Sequence, residues 1–517
     1  MQKMLESFLK VFAAVKGPQQ LFKHQTLLQI FVSFLANPDP SLSNLAFACV
    51  LRFKLPYMSP YVDDIQPMLK KEGLREALAK FDLSEDSETV ATEHRLLLLP
   101  LVTRILFGRF SSRGNSGAKS ARDSPAARRA AILSFLSRIG SDAGELNFFV
   151  YMMVRAFIPR DVDLKAQGGG QMDGKHLARL IEAAENITSE ELTRIPIKRQ
   201  EGFLNLLSDV ITQIGFGMKH FVGTFMHILL ALCEQTEHAL VTNIKHQTLK
   251  KSADHKDTSD AHDVNSRISR VRTLSFLRLS DMLTKFAARV DFSEYGTRLW
   301  NSVSSSVIAL PNTVINAENP PSLLQLIESI ALHHRLIPLL HQSDNAVVAV
   351  FKCIAGTTRM KVMNSVLRIV DGLLTDGSAA DDTHLVNNQS MGQKIISKHI
   401  HLLIQQFTHR LSKEESQIAN LDVSVGDSFG SKPLRQNPNK GLQLNILCRV
   451  SELLVSTEQS SDTHIATMEN LCNLLVPLLK FDSHPNQLYV IRTINSLLPK
   501  LSTEAAMAHF HSLSKAS

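Results

Sequence analysis

Aromatic residues are scarce in this chain: 6% of its 517 positions, with Trp300 as the one tryptophan. Modules that read bases on a sheet surface need a fixed aromatic pattern, and no RNP-type pattern occurs. Cysteine is equally sparse. Cys49, Cys233, Cys353, Cys448 and Cys472 are odd in number, the closest pair lies 24 residues apart, and none forms a C-x-x-C. A disulfide scaffold, a zinc knuckle and a thioredoxin-type redox site are thereby excluded, and a reducing compartment fits. Long apolar runs are missing as well. The longest, Phe221 to Cys233, has 13 residues and is broken by Thr224 and His227, against the roughly 20 that a membrane span needs. The first 17 residues carry Glu6 and Lys10 within their apolar stretch, unlike the core of an export signal. No membrane partner is expected.

Alternation of apolar and polar residues between hairpin turns is also absent, which removes the main signal for sheet. Hydrophobic residues make up 44% of the chain, ample for a core, and they recur with helical period. Leu42, Leu45, Ala46, Cys49, Val50 and Phe53 fall on one helical face. So do Phe276, Leu279, Leu283, Phe286, Ala287 and Val290, and again Ile465, Met468, Cys472, Leu475, Val476 and Leu479. Helix starts are marked by Asp39-Pro40, a capping carboxylate before a proline that needs no N–H donor there. Thr188 to Glu191 and Ser412 to Glu415 have capping-box spacing. One stripe (Phe203, Leu207, Val210, Ile214) and the next (Val222, Phe225, Leu229, Leu232) flank a turn bearing Gly215 and Gly217. Near the end of the sequence, stripes centre on residues 448, 472 and 494, giving one helix pair per about 40 residues, the period of HEAT and armadillo units. The expected fold is all-α: a HEAT/armadillo-like α-solenoid of paired antiparallel helices over residues 1–517, with disordered insertions. Those insertions are placed at 109–129 (basic, flexible), 160–174 (a Gly-rich connector), 245–272 (polar and basic), 376–391 and 421–440 (flexible loops).

No catalytic constellation emerges. Gly169 to Lys175 has the spacing of a P-loop, but His176 stands where a magnesium-binding Ser or Thr is required, and a helical rather than a strand pattern precedes it. Gly426 to Gly430 matches the hydrolase elbow G-x-S-x-G without the strand and sheet that would present Ser428. His333, His334, His399 and His401 lack metal-ligand spacing. The expectation is therefore no enzyme, no metal, no cofactor and no small-molecule substrate.

Charge is more informative. Of the net +7, residues 109–129 alone contribute +5, from Arg109, Arg113, Lys119, Arg122, Arg128 and Arg129 against Asp123. Residues 245–272 add +3. Arginine in flexible Ser/Gly sequence suits contacts to phosphate, because its planar fork matches the oxyanion and the chain can follow an irregular backbone. The candidate RNA-phosphate contacts are Arg104, Arg109, Arg113, Lys119, Arg122, Arg128 and Arg129. A solvated linker or a localisation signal would have the same composition.

The block His94 to Arg109, the following basic insert and Ala126 to Leu136 resemble the central region of the "down-regulated in metastasis" family, the U-three-associated protein twenty proteins of the small-subunit processome. Pro38 to Tyr61 is similar to the repeat preceding that block, and Ile195 to Gln200, Phe203 to Gly215 and Val271 to Phe286 continue in the family's order. The resemblance implies a nucleolar HEAT-repeat scaffold without activity of its own. Its implied partners are precursor ribosomal RNA, the guide small nucleolar ribonucleoprotein and other processome proteins, and its implied role is to support the cleavages that release small-subunit ribosomal RNA. Members are several times longer, so the chain is expected to be an internal segment or the product of a truncated gene, whose terminal helices, Met4 to Val15 and Leu488 to Leu501, leave apolar surface open. A HEAT-type adaptor or nuclear transport receptor that binds protein cargo would share the same periodicity.

Overall fold

The computed structural model describes residues 2–70, 73–84, 87–112, 124–139, 143–158, 174–250, 258–357, 359–375, 390–422, 440–456, 462–478 and 484–501. Among them there is helix throughout and no strand. The chain divides into two compact units, Met1–Gln235 with Asp257–Val271, and Thr236–Lys256 with Arg272–Ser517.

In the first unit the helices Gln2–Ala14 and His24–Phe34 both pack on Pro40–Leu51, which in turn meets Thr92–Ser111. Thr92–Ser111 lies against Pro125–Arg138 and Ala143–Phe157, and both of these meet Ile197–Ile214. Thr92–Ser111 is buried nearly all round, so an apolar stripe is no longer its distinguishing feature: Leu98, Leu99, Leu101, Val102, Ile105, Leu106, Phe107 and Phe110 are all inside. Its Gly108 is required by a close approach. A Cβ there would lie 2.8 Å from the Asn37 carbonyl oxygen and 3.0 Å from that of Leu35.

The second unit is a ladder with two rows. In one row Ser304–Thr313, Asp344–Gly356, Ile400–Asp422 and Asp462–Leu478 each pack on the next. In the other, Ser322–Ala331, Met360–Thr375, Lys440–Ser456 and His484–Leu497 do the same. Each pair buries its apolar stripe against the pairs before and after it, which is the packing rule of a solenoid. The fold is all-α and solenoid-like. Only the first step in the first row matches the expected period: its helices begin at Ser304, Asp344, Ile400 and Asp462, and the later steps are lengthened by the stretches 376–389 and 423–439.

The local signals fare unevenly. Asp39 accepts from the Ser41 amide with Pro40 in the first helical turn, and Thr188 with Glu191 forms a complete capping box. Ser412 does not start a helix. It lies inside Ile400–Asp422 and donates to the Thr408 carbonyl. A further box, Ser390 with Gln393, opens Met391–Lys398. The expected insertion at 245–272 is largely helical: Val222–Lys250 runs into it and Thr258–Phe286 runs out of it. Helix also occupies the edges of 109–129, up to Ser111 and from Pro125. The insertions at 376–391 and 421–440 are bounded by helix at Met391, Asp422 and Lys440. The connector at 160–174 and the P-loop-like and elbow-like motifs fall almost wholly outside the described residues.

Residues 197–242 are long and apolar enough to match a membrane span by composition, but their most apolar stretch is 67% buried inside the protein, as for a core helix. Met4, Phe8 and Val11 are exposed on the first helix, and Leu488 and Ile491 on His484–Leu497.

Candidate nucleic-acid interface

A helix ends with carbonyls that have no partner within the helix and with the negative end of its dipole. In this protein basic side chains from a neighbouring helix repeatedly satisfy them. The Arg52 Nε donates to the Ala13 carbonyl at 2.7 Å, in the last turn of Gln2–Ala14. Arg138 reaches Leu78 at 2.8 Å, and Arg95 bridges Leu83 and Ile139 at 2.7 and 3.0 Å. Arg199 donates to the Ala156 carbonyl. In the second unit Arg335 donates to Ala288 at 2.5 Å, Arg410 to Thr357 at 2.8 Å and Lys500 to Val455 at 2.5 Å. These basic side chains are thus committed to holding one helical element on another.

This decides where four of the seven candidate phosphate contacts stand. Arg104 is half-buried, donates to the Pro100 carbonyl at 3.0 Å and lies over the Phe148 ring at 4.2 Å from its centroid. Burial pulls its guanidinium down to about 10, with Arg155 adding to the effect and Tyr151 and Tyr57 opposing it. Arg109 is only 4% exposed, and its Nη2 donates to the Lys70 carbonyl at 2.8 Å, capping Val62–Leu69. Arg128 donates to the Ser112 carbonyl at 2.8 Å, at the end of Thr92–Ser111. Arg129 pairs with Asp209 at 3.2 Å. All four make structural contacts within the first unit and are not free side chains of a linker. Arg113, Lys119 and Arg122 lie outside the described residues.

The other chemistry-bearing side chains also serve packing. All five cysteines are buried and unpaired with one another. Burial pushes the Cys353 thiol up to about 12 and those of Cys49, Cys448 and Cys472 up to about 11, so none of these four is a nucleophile near neutral pH. His399 faces Asp344 at 3.3 Å, beside Lys398, and His401 contacts the Thr467 hydroxyl. Among the described residues no group of three His, Cys, Asp or Glu side chains could hold a metal ion. Trp300 is buried and donates its indole N–H to the Leu339 carbonyl at 2.7 Å, so it is not a base-stacking platform.

The described residues therefore form a helical-repeat body in which the basic side chains named above join one helix to another. Comparison with known proteins gives its family. Residues 1–516 match the family model described as U3 small nucleolar RNA-associated protein 20, N-terminal. The chain belongs to this family, the one that the residue blocks suggest. A U3 small nucleolar RNA-associated protein 20 of Schizosaccharomyces pombe is 24% identical over 223 residues, 43% of this chain. The protein of that name in Saccharomyces cerevisiae is 24% identical over 148 residues, 28% of this chain. The matched stretches cover only 8% and 6% of those relatives' lengths.

Proposed function

We propose that this chain is a non-catalytic scaffold segment of a ribosome-assembly factor that acts in the nucleolus within the small-subunit processome. Its partners are precursor ribosomal RNA, the U3 small nucleolar ribonucleoprotein and other processome proteins, with no cofactor, small-molecule substrate or membrane. The observation that carries this reading is the family match over residues 1–516. It is supported by a helical-repeat body in which buried thiols and bonded histidines do structural work. Helix pairs that pack only on their neighbours leave side surfaces available to partners.

Within this reading, RNA is met by Arg113, Lys119 and Arg122 of the basic insert. Arg104, Arg109, Arg128 and Arg129 hold the helices that flank it. The contact is to backbone phosphate and carries no base preference, because no aromatic pattern accompanies it.

The reading is tested by purifying the tagged, full-length protein from nuclear extract and quantifying RNA by reverse transcription. Enrichment of U3 RNA and unprocessed small-subunit precursor over a spliceosomal small nuclear RNA is expected, with precursor accumulating on depletion. Recovery of transport cargo without U3 RNA would overturn it in favour of an adaptor.

A further inference from the structure

Three arginines crowd one corner of the first unit. Arg109 from Thr92–Ser111 and Arg128 and Arg129 from Pro125–Arg138 are bonded through Nη atoms to Lys70, Ser112 and Asp209 respectively. Each nevertheless buries an Nε that has no acceptor. They are close enough that Arg128 bears on the charge of Arg109, and Arg129 on that of Arg128. Asp209, paired with Arg129, is the acid that an ion pair brings to this corner among the described residues. Three donors and surplus positive charge in one place fit a compact anion with several oxygens.

Ser124 lies one helical turn before Arg128, whose amide donates to the Ser124 carbonyl at 3.0 Å. It is the N-cap of the 14-residue helix Pro125–Arg138, its hydroxyl accepts from the Ala127 amide, and its backbone is extended at φ −60°, ψ 147°. Pro125 follows it. Helix side chains lean toward the N-terminus of their helix, so Arg128, one turn on, lies back over Ser124. Its bond to the Ser112 carbonyl fits that direction.

We propose that Ser124 is a phosphorylation site for a proline-directed protein kinase, and that Arg128, with Arg109 and Arg129, receives the phosphate. In the transfer, the Ser124 Oγ bonds to the γ-phosphorus of ATP as the bond from that phosphorus to the β,γ-bridging oxygen breaks. ADP departs, and the hydroxyl proton passes to the kinase's base. The phosphate brings about −1.5 to −2 of charge to the positive end of a helix, one turn from the Arg128 guanidinium. It also cuts the net +5 of residues 109–129 to about +3. Modification therefore weakens the insert's hold on RNA.

The test is phosphorus NMR on the full chain carrying phosphoserine at position 124, followed across pH. A free phosphoserine titrates near pH 6. Here the midpoint is expected to fall to about 5 or below, to return toward 6 in Arg128→Ala and to lie between in Arg128→Lys. A midpoint at 6 in the unaltered chain that neither variant moves would overturn the proposal. If Arg128→Ala does not fold, Arg128→Lys carries the comparison, since it keeps the charge and loses the fork. Incubating the native chain with a proline-directed kinase and ATP should label Ser124 and leave Ser124→Ala unlabelled there. Labelling of Ser124 only after denaturation would also overturn it. None of these readouts involves RNA, so the scaffold reading can fail without deciding this one.

Discussion

Replacing Gly108 by alanine and Gly202 by alanine should move stability in opposite directions, although both glycines lie inside helices. Alanine is favoured over glycine in a helix by about 0.8–1 kcal/mol. At Gly202 in Ile197–Ile214 an added Cβ meets nothing within 4 Å, so most of that gain should appear. At Gly108 the Cβ would lie 2.8 Å from Asn37 O, 3.0 Å from Leu35 O and 3.1 Å from Ala36 C. All three atoms are backbone at the end of His24–Phe34 and cannot rotate away. Overpacking of this kind costs about 1–3 kcal/mol. The net expectation is a loss of about 1–2 kcal/mol for Gly108→Ala and a gain of about 0.8 kcal/mol for Gly202→Ala. Hydrogen exchange read by mass spectrometry localises the effect. Amides of residues 35–37 and 101–110 should exchange about tenfold faster in Gly108→Ala, since about 1.4 kcal/mol is a factor of ten in the opening equilibrium. Gly108→Val should be worse still. If Gly108→Ala slows exchange as Gly202→Ala does, the two segments do not touch as described and the packing account of this helix is wrong.

Removing the Glu237 carboxylate should loosen the second unit by about 2 kcal/mol, since it accepts from Arg272, the Ser306 amide and the Ser306 hydroxyl, and chemical denaturation of Glu237→Ala measures this. The five thiols should resist iodoacetamide at pH 8 in the native chain and react promptly in urea; fast native labelling would contradict their burial. Because burial raises the folded values of Cys49, Cys353, Cys448 and Cys472, the folded state keeps protons that the unfolded state loses. Stability should therefore fall as pH rises from about 9 toward the folded values of about 11 to 12, which melting curves at stepped pH would show. Trp300→Phe leaves the Leu339 carbonyl without its indole donor, and should cost about 1–3 kcal/mol in the same denaturation assay.

Most of the helical architecture is legible in the sequence because burial in stacked helix pairs writes a 3.6-residue period into it. Ala46, Cys49, Val50, Phe276, Leu279 and Leu283 are all inside, as their spacing requires. The apolar stripe at residues 465–479 runs slightly out of phase with the burial: Ile465 is only half-buried, whereas His464 and Thr467, polar by type, lie on the buried side. Thr92–Ser111 shows the limit of periodicity, since a helix buried on most sides has no polar face to mark the boundary. The arginines are less legible. An arginine beside Ser and Gly looks solvated, yet its long stem packs in apolar surroundings while its donors find carbonyls 12 to 60 residues away in sequence. Arg109, buried against Lys70, cannot be told from Arg113 by local pattern. The partner that fixes Arg109 lies 39 residues upstream, and pairing at that range leaves no periodic trace.

The division of labour among the basic residues is the central claim, and a salt titration of RNA binding tests it most directly. Full chain and two variants, Arg113→Ala/Lys119→Ala/Arg122→Ala and Arg129→Ala, are titrated with a mixed-sequence single-stranded RNA. Each phosphate left without its cationic side chain should flatten the log–log slope by about 0.7, so the slope of the triple variant should drop by about 2 while its melting temperature stays put. Arg129→Ala should lower melting by breaking the pair with Asp209 and leave the slope unchanged. An unchanged slope in the triple variant, or a flattened one in Arg129→Ala, would contradict the account.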